Sequence, residues 1–234
     1  MVSRIKTHAQ AWISSGNFLD CFQDLEVREV PGVMKRVQVY QGEGITCRFH
    51  LFEDPTETYI HNHQSNFFSS CLKGHYWHRI WGTDQNQNKH HYALNRSKGH
   101  EKAERQAGAL YIQHANDHVE GASYFIHSNT PHTVLPHLDG ARPVPVVTML
   151  IKGKKAVSDT LVRSENLGIE QRREEEKKGE RELHQFEKFS VLERMHRLMS
   201  GWTPNQKKSD RRSRRKEQVP NHDVNPMLIF HACV

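Results

Sequence analysis

The feature that most constrains this chain is a succession of short segments rich in β-branched and aromatic residues. Nine of them follow one another between residues 32 and 155: MKRVQVYQ, ITCRFHLFE, TETYIHNH, FFSSCLKGHYWHRIW, HHYALNR, GALYIQHA, GASYFIHS, TPHTVLPH and VPVVTMLIKG. Gly, Pro, Asn or Asp separates them, and no helical pattern intervenes. Strands at this spacing, without crossover helices, predict a mainly β domain built as an antiparallel sandwich or barrel.

The two ends of the chain differ from this middle part. Residues 1–31 predict one or two helical turns around AQAWISSGNFLDCFQDL, which form a cap on the β domain. Residues 156–234 form a charged extension in which apolar side chains recur at helical spacing: Phe186, Phe189, Leu192, Met195, Met199 and Trp202. SVLE, residues 190–193, has the capping-box form, so we expect the helix to begin there and to stop at Gly201 and Pro204. This helix either packs on the domain or binds a partner.

Composition limits the class of protein. With 234 residues, 35% of them hydrophobic and 26% charged, the chain can bury one core but is too polar for every segment to take part. Its four cysteines form no CxxC pair, which argues against a disulfide scaffold or a thiolate zinc cluster. The N-terminus lacks the apolar stretch of a signal peptide, and nowhere do about 18 apolar residues run together. We expect a soluble, cytoplasmic protein with reduced thiols.

The positive charge is concentrated in one short run. Of the formal net charge of +6, KKSDRRSRRKE at 207–217 supplies seven basic and two acidic residues, and the rest of the chain is nearly neutral. Such runs are usually solvated tails, and this one has no aromatic residue on which a base could stack. A nucleic acid or an anionic membrane surface stays open as a partner of this segment only.

The histidines belong to the β region, because thirteen of the 18 lie between His50 and His137. Within YIHNHQSNFF, His61 and His63 are two residues apart, and in a strand two such side chains point to the same face. Two imidazoles placed in this way can bind one divalent metal. The same pattern also arises in an alternating polar strand whose histidines are hydrogen-bonded core residues. Further along, GASYFIHSNTPHTVLP places His132 after a turn, where an antiparallel fold can return it to the first pair.

Together these segments resemble the cupin superfamily. Its first motif is HxH followed by a glutamate three or four residues later and then a glycine, and its second motif ends in a histidine after a turn. His61, His63, Gly74 and His132 match these positions, and the resemblance covers roughly residues 40–155. It implies a double-stranded β-helix, or jelly roll, with His61, His63 and His132 as ligands of one metal ion.

The chain departs from this pattern at the acidic position. Three or four residues after His63 stand Phe67 and Phe68, neither of which can bind a metal. Cupins with three histidines are associated with iron-dependent dioxygenases, so the resemblance implies Fe(II), O2 and a small organic substrate. Imidazole ligands also suit zinc, nickel or copper, and these metals stay open.

Other residues around the motifs are candidates for the same site. Arg48 and Arg79 lie in strands and could clamp a carboxylate substrate, and we take Arg48 and Tyr76 as the candidate catalytic side chains. Phe67, Phe68, Tyr76 and Trp77 could exclude water, Gln64 could orient a ligand or substrate, and His127 is an alternative ligand. We expect His75 and His78 to face together, opposite to Tyr76, and we expect His90, His91 and His100 to be solvated.

These observations predict a cupin-type dioxygenase that oxidises a small, anionic organic substrate at a three-histidine site. One alternative uses the same metal without redox change, as in an isomerase or lyase. Another is a binding module that acts through its C-terminal extension. A homo-oligomer is compatible with each of them. Motifs of serine hydrolases, phosphate loops, dinucleotide-binding folds and HExxH metalloproteases are absent from the sequence.

Overall fold

The computed structural model describes residues 2–95, 103–165 and 180–201. Two compact units divide the chain: residues up to Asp24 together with those from His184 onward form one, and Leu25–Leu183 form the other. The basic run at 207–217, Trp202, Pro204 and His100 lie outside the described residues. Within the described part, no helix is long and apolar enough to cross a membrane. Cys21, Cys47 and Cys71 are free thiols.

Helices build the first unit: α1 (Val2–Ser15), a 3-10 helix (Asn17–Cys21) and α2 (Gln185–Ser200). α2 begins five residues before the predicted Ser190, because His184 and Glu187 form its capping box instead. The helix buries Val191, Leu192 and Met195, whereas Phe186 is 85% exposed. The two long helices pack on each other, and the His196 ring contacts the Ile13 carbonyl at 2.9 Å. The predicted helix is present, but the predicted position of its first residue was wrong.

The second unit consists of strands. Their bounds are β1 Glu26–Val30, β2 Met34–Gly42, β3 Ile45–Phe52, β4 Ile60–His61, β5 Ser65–Lys73, β6 His75–Asp84, β7 His90–Asn95, β8 Glu104–Ala107, β9 Ala109–Val119, β10 Ser123–Ile126, β11 His132–Pro136, β12 Leu138–Asp139, β13 Arg142–Pro143, β14 Val146–Lys155, β15 Leu161–Ser164 and β16 Arg181–Glu182. Strands therefore occur on both sides of the expected limits 32–155. The long segment FFSSCLKGHYWHRIW forms two strands, because Gly74 with φ +89° turns the chain between them.

The strands form two antiparallel seven-stranded sheets. One has the order β10-β5-β14-β3-β2-β1-β16, and the other has the order β8-β7-β15-β4-β11-β6-β9, while β12 and β13 pair separately. Rings from the first sheet, such as Phe67 and Tyr124, contact rings from the second, such as His132 and His78. The sheets therefore face each other as a sandwich. The mainly β, cupin-like fold class predicted from the sequence is confirmed.

Candidate metal centre

The three histidines predicted as ligands come together between the sheets. Ring centroids lie 4.8 Å apart for His61 and His63, 4.5 Å for His61 and His132, and 5.1 Å for His63 and His132. One nitrogen from each ring lies within 4.8 Å of the others. The predicted convergence of residues far apart in the sequence is present in the fold.

Backbone pairing puts these rings in place. His61 in β4 lies directly opposite His132 in β11, and residues opposite each other in an antiparallel pair share a face. The strand ends at His61, but the His63 amide still donates to the Ser128 carbonyl at 3.0 Å. Asn62, between the two histidines, accepts a 2.6 Å hydrogen bond from the Leu161 amide through its side chain. Both flanks of the HxH segment are thus held by hydrogen bonds.

The hydrogen bonds of two rings prepare them for a metal. His61 Nδ1 lies 2.8 Å from the Tyr59 carbonyl, and His132 Nδ1 lies 3.2 Å from the Thr130 carbonyl. Because a carbonyl can only accept, both Nδ1 atoms carry the proton and both Nε2 atoms keep a lone pair. Ligand histidines in metalloproteins are oriented in this way. The donor set therefore fits a divalent ion.

Burial keeps the imidazoles of His63 and His132 neutral. It lowers the pKa of His63 and His132 well below the usual range, and the neighbouring His61 lowers both further. Neutral imidazole is the form that binds a metal. Among the described residues, no carboxylate joins the cluster. Phe67 takes the place of the missing acid, with its ring 4.7 Å from that of His63 and 5.5 Å from that of His132.

A cavity of about 920 Å³ opens onto His61 and His63. Arg36, Arg48 and Lys152 lie along one of its walls, on the adjacent strands β2, β3 and β14. Arg36 is paired with Glu180 at 3.0 Å. Arg48 instead donates to the neutral Gln38 amide oxygen at 3.1 and 3.3 Å. Its pKa is lowered, mainly by burial and to a smaller extent by the positive charge of Arg36. The wall near the histidines therefore carries more positive charge than negative charge.

Lys152 contacts a candidate ligand directly. Its ammonium lies 3.3 Å from His63 Nδ1, and an ammonium can only donate. With this contact in place, His63 holds its own proton on Nε2, so Lys152 and a metal ion compete for the ring. Lys152 could not be found from the sequence pattern, because it lies in an apolar strand, VPVVTMLIKG, 89 residues from His63. Only the pairing of β14 with β5, where Lys152 lies opposite Phe67, brings it to the site.

Tyr76 does not reach the three histidines. It is fully buried in a cluster with Phe52, Cys71 and Val146, and its hydroxyl lies near those of Tyr124 and Ser69 without the geometry of a hydrogen bond. Ile80, not Tyr76, lies opposite His132 in β6. Four residues of strand separate the two positions, roughly 13 Å at the usual rise. The catalytic role assigned to Tyr76 therefore has no contact with the site to support it.

The expected apolar enclosure is only partly present. Phe67 contacts the site, but Phe68 points to the other face of its strand because neighbouring residues alternate. Trp77 likewise faces outward, where its ring stacks on His137 with centroids 5.1 Å apart.

Several other candidates are engaged elsewhere. Arg79 Nη1 donates to both carboxylate oxygens of Glu57, at 2.9 and 3.0 Å, so Arg79 is not a substrate clamp of this cavity. Gln64 lines the cavity and donates to the Ser158 carbonyl at 2.7 Å. His127 is exposed and lies outside the cluster, which removes it as an alternative ligand. His91, expected in solvent, is buried and contacts the Gly108 carbonyl at 3.0 Å.

The expected orientation of His75 and His78 was wrong. They are three residues apart, so a strand places them on opposite faces. His78 shares the inner face with Tyr76 and stacks on Tyr124 at 4.3 Å, while its ring lies 5.2 Å from that of His132. Burial lowers the pKa of His78 to about 3. His75 lies on the outer face.

Comparison with known proteins finds likeness in solved structures alone. The chain matches no protein-family model and no curated protein. It is similar to an RmlC-like cupin from Shewanella frigidimarina, with 13% identity, 57% of this chain and 87% of that chain covered, and a TM-score of 0.35. For the DMSP lyase DddQ from Ruegeria pomeroyi the values are 9%, 55%, 50% and 0.36. For an oxalate decarboxylase from Lactobacillus farciminis they are 12%, 58%, 33% and 0.37. Such alignments assign no activity, so the cupin-like description rests on the sheets and histidines of this chain.

Proposed function

We propose that this cupin-like chain is an Fe(II)-dependent dioxygenase that oxidises a small, anionic organic substrate at its three-histidine site. The observation that carries the proposal is the convergence of three imidazoles, two of which have Nδ1 fixed on backbone carbonyls. Three neutral ligands leave the full charge of a divalent ion uncompensated and leave coordination positions open. When bound, Fe(II) would supply the redox chemistry through which O2 reacts with an organic molecule.

The residues around the histidines divide the work of binding. Phe67 packs on His63 and His132 and keeps water from that side of the site. On the cavity side, Arg48 presents a guanidinium whose hydrogen bonds go to a neutral amide, so its charge is available to an anion. Its planar fork matches the two oxygens of a carboxylate. Lys152 adds a second positive charge next to His63.

Metal content is the first test of this proposal. Protein purified anaerobically should contain near one iron per chain, measured by inductively coupled plasma mass spectrometry. The folded variant His61→Ala/His132→Ala should lose it. His114→Ala/His127→Ala is the matched control, because it removes two exposed histidines and should keep the iron. A well-folded wild-type protein without metal would contradict the proposal.

Oxygen uptake with a panel of small carboxylates then separates the redox and non-redox alternatives. Uptake that depends on His61 and weakens in Arg48→Gln supports the dioxygenase. Bound zinc or nickel with no uptake would favour isomerase or lyase chemistry. Removing the C-terminal extension after residue 155 cannot test the binding-module alternative, because β15 lies beyond that point and its Val162 pairs with His61.

A further inference from the structure

A second group of ligand-type side chains lies on the outer face of the same sheet. His75 begins β6, Asp117 lies in β9, and His137 follows β11. Their ligand atoms lie within 4.8 Å of one another. The His75 and His137 rings are stacked, with centroids 3.6 Å apart and planes 9° apart. From this geometry we infer that His75, Asp117 and His137 form a second divalent-cation site, of the kind that zinc(II) fills.

Strand register explains why these three residues meet and why they are separate from the first cluster. Ile80 and His78 of β6 face inward, because they lie opposite His132 and Val134 of β11. The residues that alternate with them in β6 therefore face outward. Asp117 lies opposite the outward Trp77. The His137 amide donates to the His75 carbonyl at 3.1 Å, so His137 continues the outward row. The two clusters therefore lie on opposite faces of one sheet and can be changed independently.

The donor atoms are close enough together for one cation, and the two stacked rings would have to tilt apart for that cation to lie in both ring planes. Nε2 of His137 lies 3.1 Å from Asp117 Oδ1, and Nε2 of His75 contacts the same oxygen. Ligand atoms held about 2.0–2.1 Å from a tetrahedral zinc lie roughly 3.4 Å apart, which is close to the distance between His137 Nε2 and Asp117 Oδ1. Among the described residues, Asp117 has no lysine or arginine partner. The carboxylate of Asp117 gives the group a negative charge that attracts a cation.

The backbone under the three side chains is fixed. Asp117 lies in the ladder between β6 and β9, and the His137 carbonyl accepts a 2.8 Å hydrogen bond from the Val144 amide. The Trp77 ring covers one side of His137. Sites built on paired strands hold their ligands more precisely than sites on loops. Two imidazoles and a carboxylate suit zinc and other ions that bind nitrogen and oxygen ligands. The Asp117 side chain is 40% exposed, so water can fill the remaining coordination positions.

Zinc stoichiometry tests the inference. Wild-type protein in buffered zinc should bind two equivalents, measured after removal of loose metal. His75→Ala/His137→Ala should bind one equivalent and His61→Ala/His132→Ala one, while the four-histidine combination should bind none. His114→Ala/His127→Ala, which removes two exposed histidines of the Leu25–Leu183 unit, should still bind two. The Asp117→Asn variant keeps an oxygen that can accept from His137 but loses the carboxylate charge. It should bind the outer ion about 10-fold more weakly or worse, because even partners outside the coordination shell are worth about 10- to 100-fold.

A second readout protects the test against misfolding and against failure of the first site. In the His61→Ala/His132→Ala background, cobalt(II) should give a visible absorption band that disappears in Asp117→Asn. Zinc should raise the unfolding temperature of this background but not of the background that also lacks His75 and His137. If zinc stoichiometry falls only when His61 and His132 are changed, the outer cluster is a hydrogen-bonded group and the inference is wrong. That result would leave the proposed three-histidine site untouched.

Discussion

Replacing Lys152 with methionine should tighten metal binding at the three-histidine site. In the metal-free protein the Lys152 ammonium donates to His63 Nδ1 at 3.3 Å. A metal must displace this contact and then stay close to the positive charge of Lys152. Lys152→Met keeps the length and apolar character of the side chain and removes only the ammonium. The prediction has an unusual sign, because a loss-of-contact variant is expected to gain affinity.

The magnitude follows from the charges and the distance. A metal about 2.0–2.1 Å from a His63 nitrogen would lie roughly 5–7 Å from the ammonium in its present position. Coulomb repulsion between charges of +2 and +1 at that distance is about 1–2 kcal/mol in a water-like dielectric and several times more in a buried one. Lysine can swing away and relieve part of it. The water-like value of about 1–2 kcal/mol therefore applies, and it corresponds to about 10-fold tighter metal binding in Lys152→Met.

The assay is competition with a chromophoric chelator, using zinc or anaerobic Fe(II) and metal-free protein. Lys154→Met is the matched control, because Lys154 also lines the cavity but packs its side chain on Gly44. Adding a small carboxylate should raise the metal affinity of the wild type, since the anion can hold the displaced ammonium. This increase in metal affinity should be lost in Lys152→Met. Because the coupling between two ligands is reciprocal, the increase in carboxylate affinity caused by the metal should be lost as well. Equal or weaker metal binding in Lys152→Met would refute the reasoning.

Three further perturbations test other parts of the site. Gly74→Ala should be far more destabilising than Gly121→Ala in urea unfolding. Both glycines have positive φ (+89° and +92°), but only at Gly74 would an added Cβ meet the Pro145 carbonyl oxygen, at 2.3 Å. Similar losses of stability in the two variants would contradict this. Phe67→Glu should lower the stability of the metal-free protein by a few kcal/mol, because a carboxylate replaces a buried ring packed on His63, and it should raise metal affinity in the chelator assay. Unchanged affinity would show that the side chain at position 67 does not reach the metal. His78→Leu should make the stability of the metal-free protein less dependent on pH on the acid side. The pKa of His78 is about 3 in the folded state and about 6.5 in the unfolded chain, so between these values only the unfolded chain binds the proton. In the wild type this lowers the free energy of unfolding by up to about 1.4 kcal/mol for each unit by which the pH falls. An unchanged slope would count against it.

Much of the candidate site could be predicted from sequence because its signals are local. His61 and His63 are two residues apart, which in an extended chain is enough to put both rings on one side. Gly74 is required by a turn whose backbone conformation side chains disfavour. His132 is distant, but it follows a turn at the start of a strand, so its return to the first pair depended only on the fold class. The succession of short β-branched and aromatic segments, without intervening helical patterns, predicted that class.

Predictions failed where a residue's role depended on register. Tyr76 and Ile80 share a face of β6, but only pairing with β11 shows that Ile80 lies opposite His132. His91 looks like part of a polar hairpin, yet tertiary contacts bury it against the Gly108 carbonyl. The helix beginning at Gln185 has two candidate capping boxes nearby, and local pattern does not decide between them.

The sequence by itself determined a mainly β fold, the three histidines that converge in it and the absence of an acidic partner at Phe67. These depend on residue type, on period-two alternation and on turn chemistry, which act between neighbours along the chain. Only the tertiary structure decided that Lys152 contacts His63, that Arg48 faces the same cavity, and that His75, Asp117 and His137 meet on the opposite face. Such juxtapositions are set by which strands pair and in which register, and a shift of one residue would turn every one of these side chains to the other face.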